Sequence, residues 1–116
     1  MLNASYSSCV AACHECITAC EAWLDALPAD DENASVQHCA DLCRSSIRLC
    51  RLVIEELKLR SAFSLQVCAL GTVICRACAD ECATIGSGSN DCAAACLRAA
   101  EECHAIATMS QSHATV

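Results

Sequence analysis

The chain has 116 residues, of which fourteen are cysteines, and 55% of its residues are hydrophobic although only 3% are aromatic. A chain of this length is most simply one domain with its own core, so we expect a single domain over residues 1–116. The formal net charge is −7, with only seven Lys and Arg, which excludes the basic surface that nucleic acids require. No uncharged apolar run reaches the ~18 residues of a membrane span, so we expect no membrane-spanning helix.

Apolar side chains recur three and four residues apart in four stretches of the chain, which is the spacing of amphipathic helices. Pro28 ends the first stretch, and the segment GSGSND (86–91) separates the last two. The predicted helices are about residues 4–27, 35–59, 61–85 and 91–108, followed by a polar tail over 109–116. Because four amphipathic helices with short loops pack as an up-down bundle, we predict an all-α, antiparallel four-helix bundle.

The cysteines repeat at one spacing in all four predicted helices. The segment CVAACHECITAC (9–20) places four cysteines at steps of 4, 3 and 4 residues. The other helices repeat these steps with Ser46, Gly71 and Ala99 in place of three cysteines, and Cys68 precedes the row of the third helix. Since such a row is the inward seam of a bundle helix, we predict a cysteine-lined core. The expected core cysteines are Cys9, Cys13, Cys16, Cys20, Cys39, Cys43, Cys50, Cys68, Cys75, Cys78, Cys82, Cys92, Cys96 and Cys103.

Antiparallel packing also predicts which side chains share a level along the bundle. From one end to the other, the expected levels are Cys9, Cys50, Gly71 and Cys103; Cys13, Ser46, Cys75 and Ala99; Cys16, Cys43, Cys78 and Cys96; and Cys20, Cys39, Cys82 and Cys92. Cysteine is much smaller than leucine, so this core would be thinly packed without a further occupant.

Core packing, disulfides and metal binding are the three roles open to such rows. Packing alone accounts poorly for cysteine repeated along four helices. Neighbours on one helix have Cβ atoms about 5–6 Å apart, against about 3.8 Å across a disulfide, although bridges between helices stay open. The start, MLNASYSSC, shows no basic and apolar leader, so we expect the reducing cytoplasm, which disfavours disulfides.

Among metals, the pattern favours Cu(I). Iron–sulfur ligands typically lie in loop runs rather than along helices, and a four-thiolate zinc site leaves two negative charges in a dry core. Each Cu⁺ replaces one thiol proton, and C-x3-C offers two soft thiolates to one ion. If each sulfur bridges two ions, the capacity is on the order of a dozen ions per chain, which indicates storage.

No acid–base pair, nucleophilic triad or phosphate loop is visible, so we predict that the protein is not an enzyme. Two alternatives stay open: a metallothionein-like buffer for zinc or another soft metal, and a disulfide-bonded or redox structural bundle.

The segments CVAACHECITACEAW, CRACADECA and CAAACLRAAEECHAIA resemble the Cys-rich four-helix-bundle copper storage proteins. The resemblance covers about residues 4–107 and implies a homotetramer of bundles, each holding many Cu(I) ions on its core cysteines. It also implies the cytosolic type, with copper storage and detoxification as its function. We further expect a copper chaperone or small thiol as donor or acceptor. The departures at Ser46, Gly71 and Ala99 lower the expected capacity.

In related proteins one end of the bundle can carry a histidine as an entry or terminal copper ligand. By this resemblance His104, which follows Cys103, joins the cysteines as a candidate ligand. His38 and His14 are weaker candidates, and Met109 is expected to make an apolar contact near the same end.

Overall fold

The computed structural model describes residues 3–86 and 88–114, and these form four α-helices without a strand. The helices are α1 (Ala4–Ala26), α2 (Ala34–Leu59), α3 (Ser64–Ile85) and α4 (Asn90–Ala114). Each helix packs against the next along the chain, and α1 closes the ring against α4. The predicted all-α four-helix bundle is therefore confirmed.

Asparagine caps fix where the first two helices begin. The side chain of Asn3 accepts a hydrogen bond from the Tyr6 N–H at 2.8 Å. Asn33 accepts from the N–H groups of Ser35 and Val36 at 2.9 and 3.1 Å. Both caps satisfy backbone donors that the first turn of a helix leaves without intrahelical partners.

The turn between α2 and α3 forms without glycine or proline. Arg60 adopts the left-handed conformation, with φ of 52°, and its N–H bonds back to the carbonyls of Glu56 and Leu57. The Ser64 hydroxyl donates to the Glu56 carbonyl at 3.0 Å. As a result α3 begins at Ser64, later than the expected start at residue 61.

The fourth helix is longer than the sequence pattern indicates. It continues to Ala114, so most of the segment expected as a polar tail over 109–116 is helical. Among the described residues, no helix has the length and apolar composition needed to cross a bilayer.

Ordinary apolar side chains lie beyond the cysteines at both ends of the core. At one end Leu57 and Ile106 are fully buried, and at the other Trp23 is only 8% exposed. These larger side chains supply apolar burial that the small thiols between them do not.

We expect Leu57→Ala to lower the free energy of unfolding of the metal-free protein by about 2–5 kcal/mol, because Leu57 is fully buried. The matched control on the same helix is Leu59→Ala. Leu59 is 76% exposed, so its truncation should change stability by less than about 0.5 kcal/mol. Urea unfolding of the reduced protein measures both, and equal losses would contradict this description of the core.

Candidate metal centre

All fourteen cysteines are free thiols, and none is more than 1% exposed. They come from all four helices and lie in the interior of the bundle. This is the arrangement expected when the 4-3-4 rows face inward. The predicted cysteine-lined core is therefore present in the structure.

Sulfur atoms of adjacent antiparallel helices lie opposite one another. Between α1 and α4, the Sγ–Sγ distances are 3.8 Å for Cys9–Cys103, 3.5 Å for Cys16–Cys96 and 3.4 Å for Cys20–Cys92. Between α2 and α3, they are 3.0 Å for Cys39–Cys82 and 3.6 Å for Cys43–Cys78. These pairs match the levels expected from the sequence.

The expected level of Cys50 is wrong. Instead of joining Cys9, Cys50 lies 3.7 Å from Cys75, Sγ to Sγ, and forms a group with Cys75 and Cys16. The Cα–Cβ bonds of a helix lean toward its N-terminus, so side chains on antiparallel α2 and α3 lean in opposite directions along the bundle axis, and Cys50 leans toward the level of Cys75. Cys68 takes the vacated place beside Cys9.

Four groups of cysteines have all their sulfur atoms within 4.8 Å of one another. They are Cys9, Cys68 and Cys103; Cys16, Cys50 and Cys75; Cys20, Cys78, Cys92 and Cys96; and Cys43, Cys78, Cys82 and Cys92. The two four-cysteine groups share Cys78 and Cys92. Within the described residues, Cys13, Cys39 and His104 fall outside these groups, and the His104 side chain is exposed.

The three positions that lack a cysteine differ in their surroundings. At Gly71, an added Cβ would lie 3.3 Å from Cys103 Sγ and from Val53 Cγ2, so the neighbouring side chains come too close for an unadjusted cysteine. Ser46 and Ala99 are both fully buried. Among the described residues, Ser46 Oγ is a buried side-chain oxygen without a hydrogen-bond partner. The sequence marked this position as a lost sulfur but gave no sign of the unpaired hydroxyl.

Neighbouring thiols of the core shift one another's pKa in opposite directions. Neighbouring thiols lower the pKa of Cys9, Cys16, Cys78 and Cys92 far below the usual range. The largest cause is Cys103 for the pKa of Cys9 and Cys20 for the pKa of the other three. Correspondingly, the hydrogen bond to Cys16 raises the pKa of Cys20.

The spacing of the sulfur atoms suits bridging by thiophilic ions. With a metal–sulfur bond of about 2.3 Å, two sulfurs on opposite sides of one ion lie about 4.6 Å apart, and three around it about 4.0 Å apart. The cysteines one turn apart on α3 and α4, Cys78–Cys82 and Cys92–Cys96, have Sγ–Sγ distances of 3.9 and 4.0 Å. Such pairs can hold an ion together with a third sulfur from another helix.

Residues 2–108 match the family model Csp, which describes copper storage proteins. The chain is 31% identical over 104 residues to the uncharacterized cysteine-rich protein YhjQ of Bacillus subtilis (strain 168), covering 86% of this chain and 94% of that protein. It superimposes on the Cu(I)-bound copper storage protein BsCsp3 with a TM-score of 0.81 and 29% identity, over 89% of this chain and 98% of that one. The apo form of Csp3 from Bacillus subtilis gives a TM-score of 0.74 and 30% identity, over 87% and 97% of the two chains.

We expect Ser46→Ala to raise the free energy of unfolding of the metal-free protein by about 1 kcal/mol, because it removes a buried hydroxyl that has no partner. The control is Ser64→Ala. Ser64 is also buried, but its hydroxyl is bonded to the Glu56 carbonyl, so its loss should lower stability by about 1 kcal/mol. Denaturant unfolding measures both changes, and a destabilised Ser46→Ala variant would show that the hydroxyl has a partner.

Proposed function

Because the chain belongs to the Csp copper storage protein family, we propose that it stores copper as Cu(I) on the thiolates of its core. The observation that carries this proposal is the set of four sulfur groups, which includes every cysteine except Cys13 and Cys39. A site for one catalytic or structural ion needs about four ligands, whereas these groups run along the whole bundle. The similar protein BsCsp3 is a copper storage protein with Cu(I) bound.

Charge balance supports a large monovalent load. Each Cu⁺ that binds displaces one thiol proton, so the dry core gains no net charge as it fills. The same number of divalent ions would leave the interior strongly charged, and burial of unpaired charge is very unfavourable. Soft thiolates also favour Cu(I) over harder cations.

All fourteen cysteines belong to the proposed ligand set. Cys13 and Cys39 join it at the edges of the groups, because Cys39 lies 3.0 Å from Cys82 and the neighbouring Cys103 thiol raises the pKa of Cys13. We assign His104 the role of a terminal ligand beside Cys103. Its side chain is exposed, so replacing it should leave the ions of the core in place.

The proposed setting is the cytoplasm, where the reducing environment keeps thiols free. A copper chaperone or a small thiol is the proposed donor and acceptor, because a soft thiolate can take Cu⁺ from another thiolate. The role is storage, and with it detoxification, rather than catalysis.

We expect the reduced protein to bind on the order of a dozen Cu(I) ions per chain in an anaerobic titration against a competing chelator. Ser46→Cys should raise this number by about one, because it adds a sulfur at a fully buried core position. The control Ser45→Cys, on the half-buried neighbouring position, should leave the core capacity unchanged. Saturation at one to three ions would contradict storage.

Assembly as a homotetramer is a further part of the proposal. Phe63, Leu70 and Val73 are 65%, 50% and 64% exposed, and their spacing places Leu70 and Val73 on one face of α3 with Phe63 two turns before. Exposed apolar stripes of this kind are typical of contacts between protein chains. We propose that a second copy of the chain covers this stripe.

We expect Val73→Glu to reduce the sedimentation mass below that of a tetramer, because it places a charge in the proposed contact. Ala83→Glu, at an exposed position near the other end of α3, is the control and should leave the assembly intact. Analytical ultracentrifugation of both variants tests this, and an unchanged mass for Val73→Glu would rule the stripe out as the contact.

A further inference from the structure

One four-cysteine group has nearly uniform spacing. The Sγ atom of Cys43 lies 3.6 Å from that of Cys78, 3.8 Å from that of Cys82 and 3.6 Å from that of Cys92. Cys82 lies 3.9 Å from Cys78 and 3.7 Å from Cys92, Sγ to Sγ. The remaining pair, Cys78 and Cys92, lies within 4.8 Å. Five of the six edges are nearly equal, so the four sulfur atoms describe a distorted tetrahedron.

The size of this tetrahedron matches a zinc site. Four thiolates around Zn²⁺, each with a bond of about 2.3 Å, have sulfur atoms about 3.8 Å apart along every edge. A digonal or trigonal Cu(I) ion uses only two or three sulfurs. We propose that Cys43, Cys78, Cys82 and Cys92 form a tetrathiolate site that binds one divalent thiophilic cation, with Zn²⁺ as the ion of matching size.

The surrounding chain holds these ligands in place before any ion binds. Cys78 and Cys82 lie one turn apart on α3, Cys92 is in the first turn of α4, and Cys43 is on α2. The short connection between α3 and α4 is tied to Cys82, because the buried Ser89 hydroxyl lies 2.7 Å from the Cys82 carbonyl and from the Gly86 carbonyl. This bond restrains the backbone that carries Cys82 and the start of α4.

Charge is the main objection to a divalent ion in this core. Binding of Zn²⁺ to four thiols releases four protons and leaves a complex of charge −2. Cys92 is the third residue of α4, where the N-terminal end of the helix carries partial positive charge and free N–H groups. This positive field offsets part of the cost of burying the −2 complex of one divalent ion. The described part of the bundle offers no comparable field for a dozen such complexes.

The site lies beneath a groove on the surface. This groove of about 520 Å³ between α1 and α4 is lined in part by Cys92, which is only 1% exposed. His14, Asp91 and Glu15 line the groove, and Glu15 is paired with Arg98. The exposed carboxylate of Asp91 favours the approach of a cation to the groove.

This inference goes beyond copper storage, since it concerns a different ion with a stoichiometry of one. Its ligands are also part of the proposed copper set, so Zn²⁺ and the copper load compete for this end of the core. Copper storage and the tetrathiolate site can be disproved independently of each other. A Cu(I) titration without divalent ions tests storage, whereas Co²⁺ and Zn²⁺ binding to the copper-free protein test the tetrathiolate site.

The experiment is an anaerobic titration of the reduced, copper-free protein with Co²⁺, followed by displacement with Zn²⁺. We expect the intense visible absorption of tetrahedral cobalt with four thiolates, saturating at one ion per chain and abolished by one equivalent of Zn²⁺. Cys43→Ser should weaken Zn²⁺ binding more than about tenfold, measured against a competing chelator. Cys50→Ser, an equally buried thiol of the same helix outside the group, should leave it unchanged.

Absence of the four-thiolate spectrum, or its survival in Cys43→Ser, would overturn the proposal, and so would its equal loss in Cys50→Ser. Alkylation of the wild-type protein supplies a test that does not depend on how the variants fold. One equivalent of Zn²⁺ should slow modification of Cys43, Cys78, Cys82 and Cys92, as identified by peptide mapping. Preferential protection of Cys9, Cys68 and Cys103 instead would overturn the assignment.

Discussion

The burial of fourteen small thiol side chains on the inward seams of four helices is the constraint from which the rest of this structure follows. Cysteine fills less space than the leucine typical of such seams, so the centre of the bundle contributes little apolar burial. The stability of the fold must then come from positions beside and beyond the sulfur rows. Val53, Leu57 and Ile106 are such positions, and each is at most 1% exposed. A metal load adds bonds where an ordinary core would have packing contacts, which couples binding to folding.

The same constraint determines which kind of ion the core can bind in many copies. A dry interior accepts many ions only when each ion arrives as a proton leaves, and Cu⁺ meets this condition. A divalent ion meets it only where a local field compensates, as at the start of α4 beside Cys92. The same thiolates can therefore serve either a large monovalent load or, at one place in the bundle, a single divalent ion.

The periodicity of the sequence was sufficient to predict the bundle and the inward direction of the cysteines, because helical spacing fixes which face a side chain occupies. It did not predict which sulfurs meet. The pattern gives the level of each Cα atom along the bundle axis. The contact of Cys50 with Cys75 also depends on the direction in which each side chain leans along that axis, which the pattern does not contain. The left-handed Arg60 that ends α2 was also missed, since non-glycine residues seldom adopt that conformation. The Ser46 hydroxyl is unpaired because no partner lies near its oxygen atom. The spacing of residues in the sequence contains no information about the surroundings of a single atom.

The sharing of Cys78 and Cys92 between two groups has a kinetic consequence. An ion in one of these groups can move to the other by exchanging some of its ligands while it stays bonded to the two shared sulfurs. It need not leave the protein or regain its hydration shell, so no step of the transfer has to break all of its bonds at once. The two three-cysteine groups share no ligand with each other, so ions there lack this direct route. Mobility of bound ions should therefore differ between the two ends of the bundle, with rapid redistribution at the Cys78 and Cys92 end and longer residence at the Cys9 end.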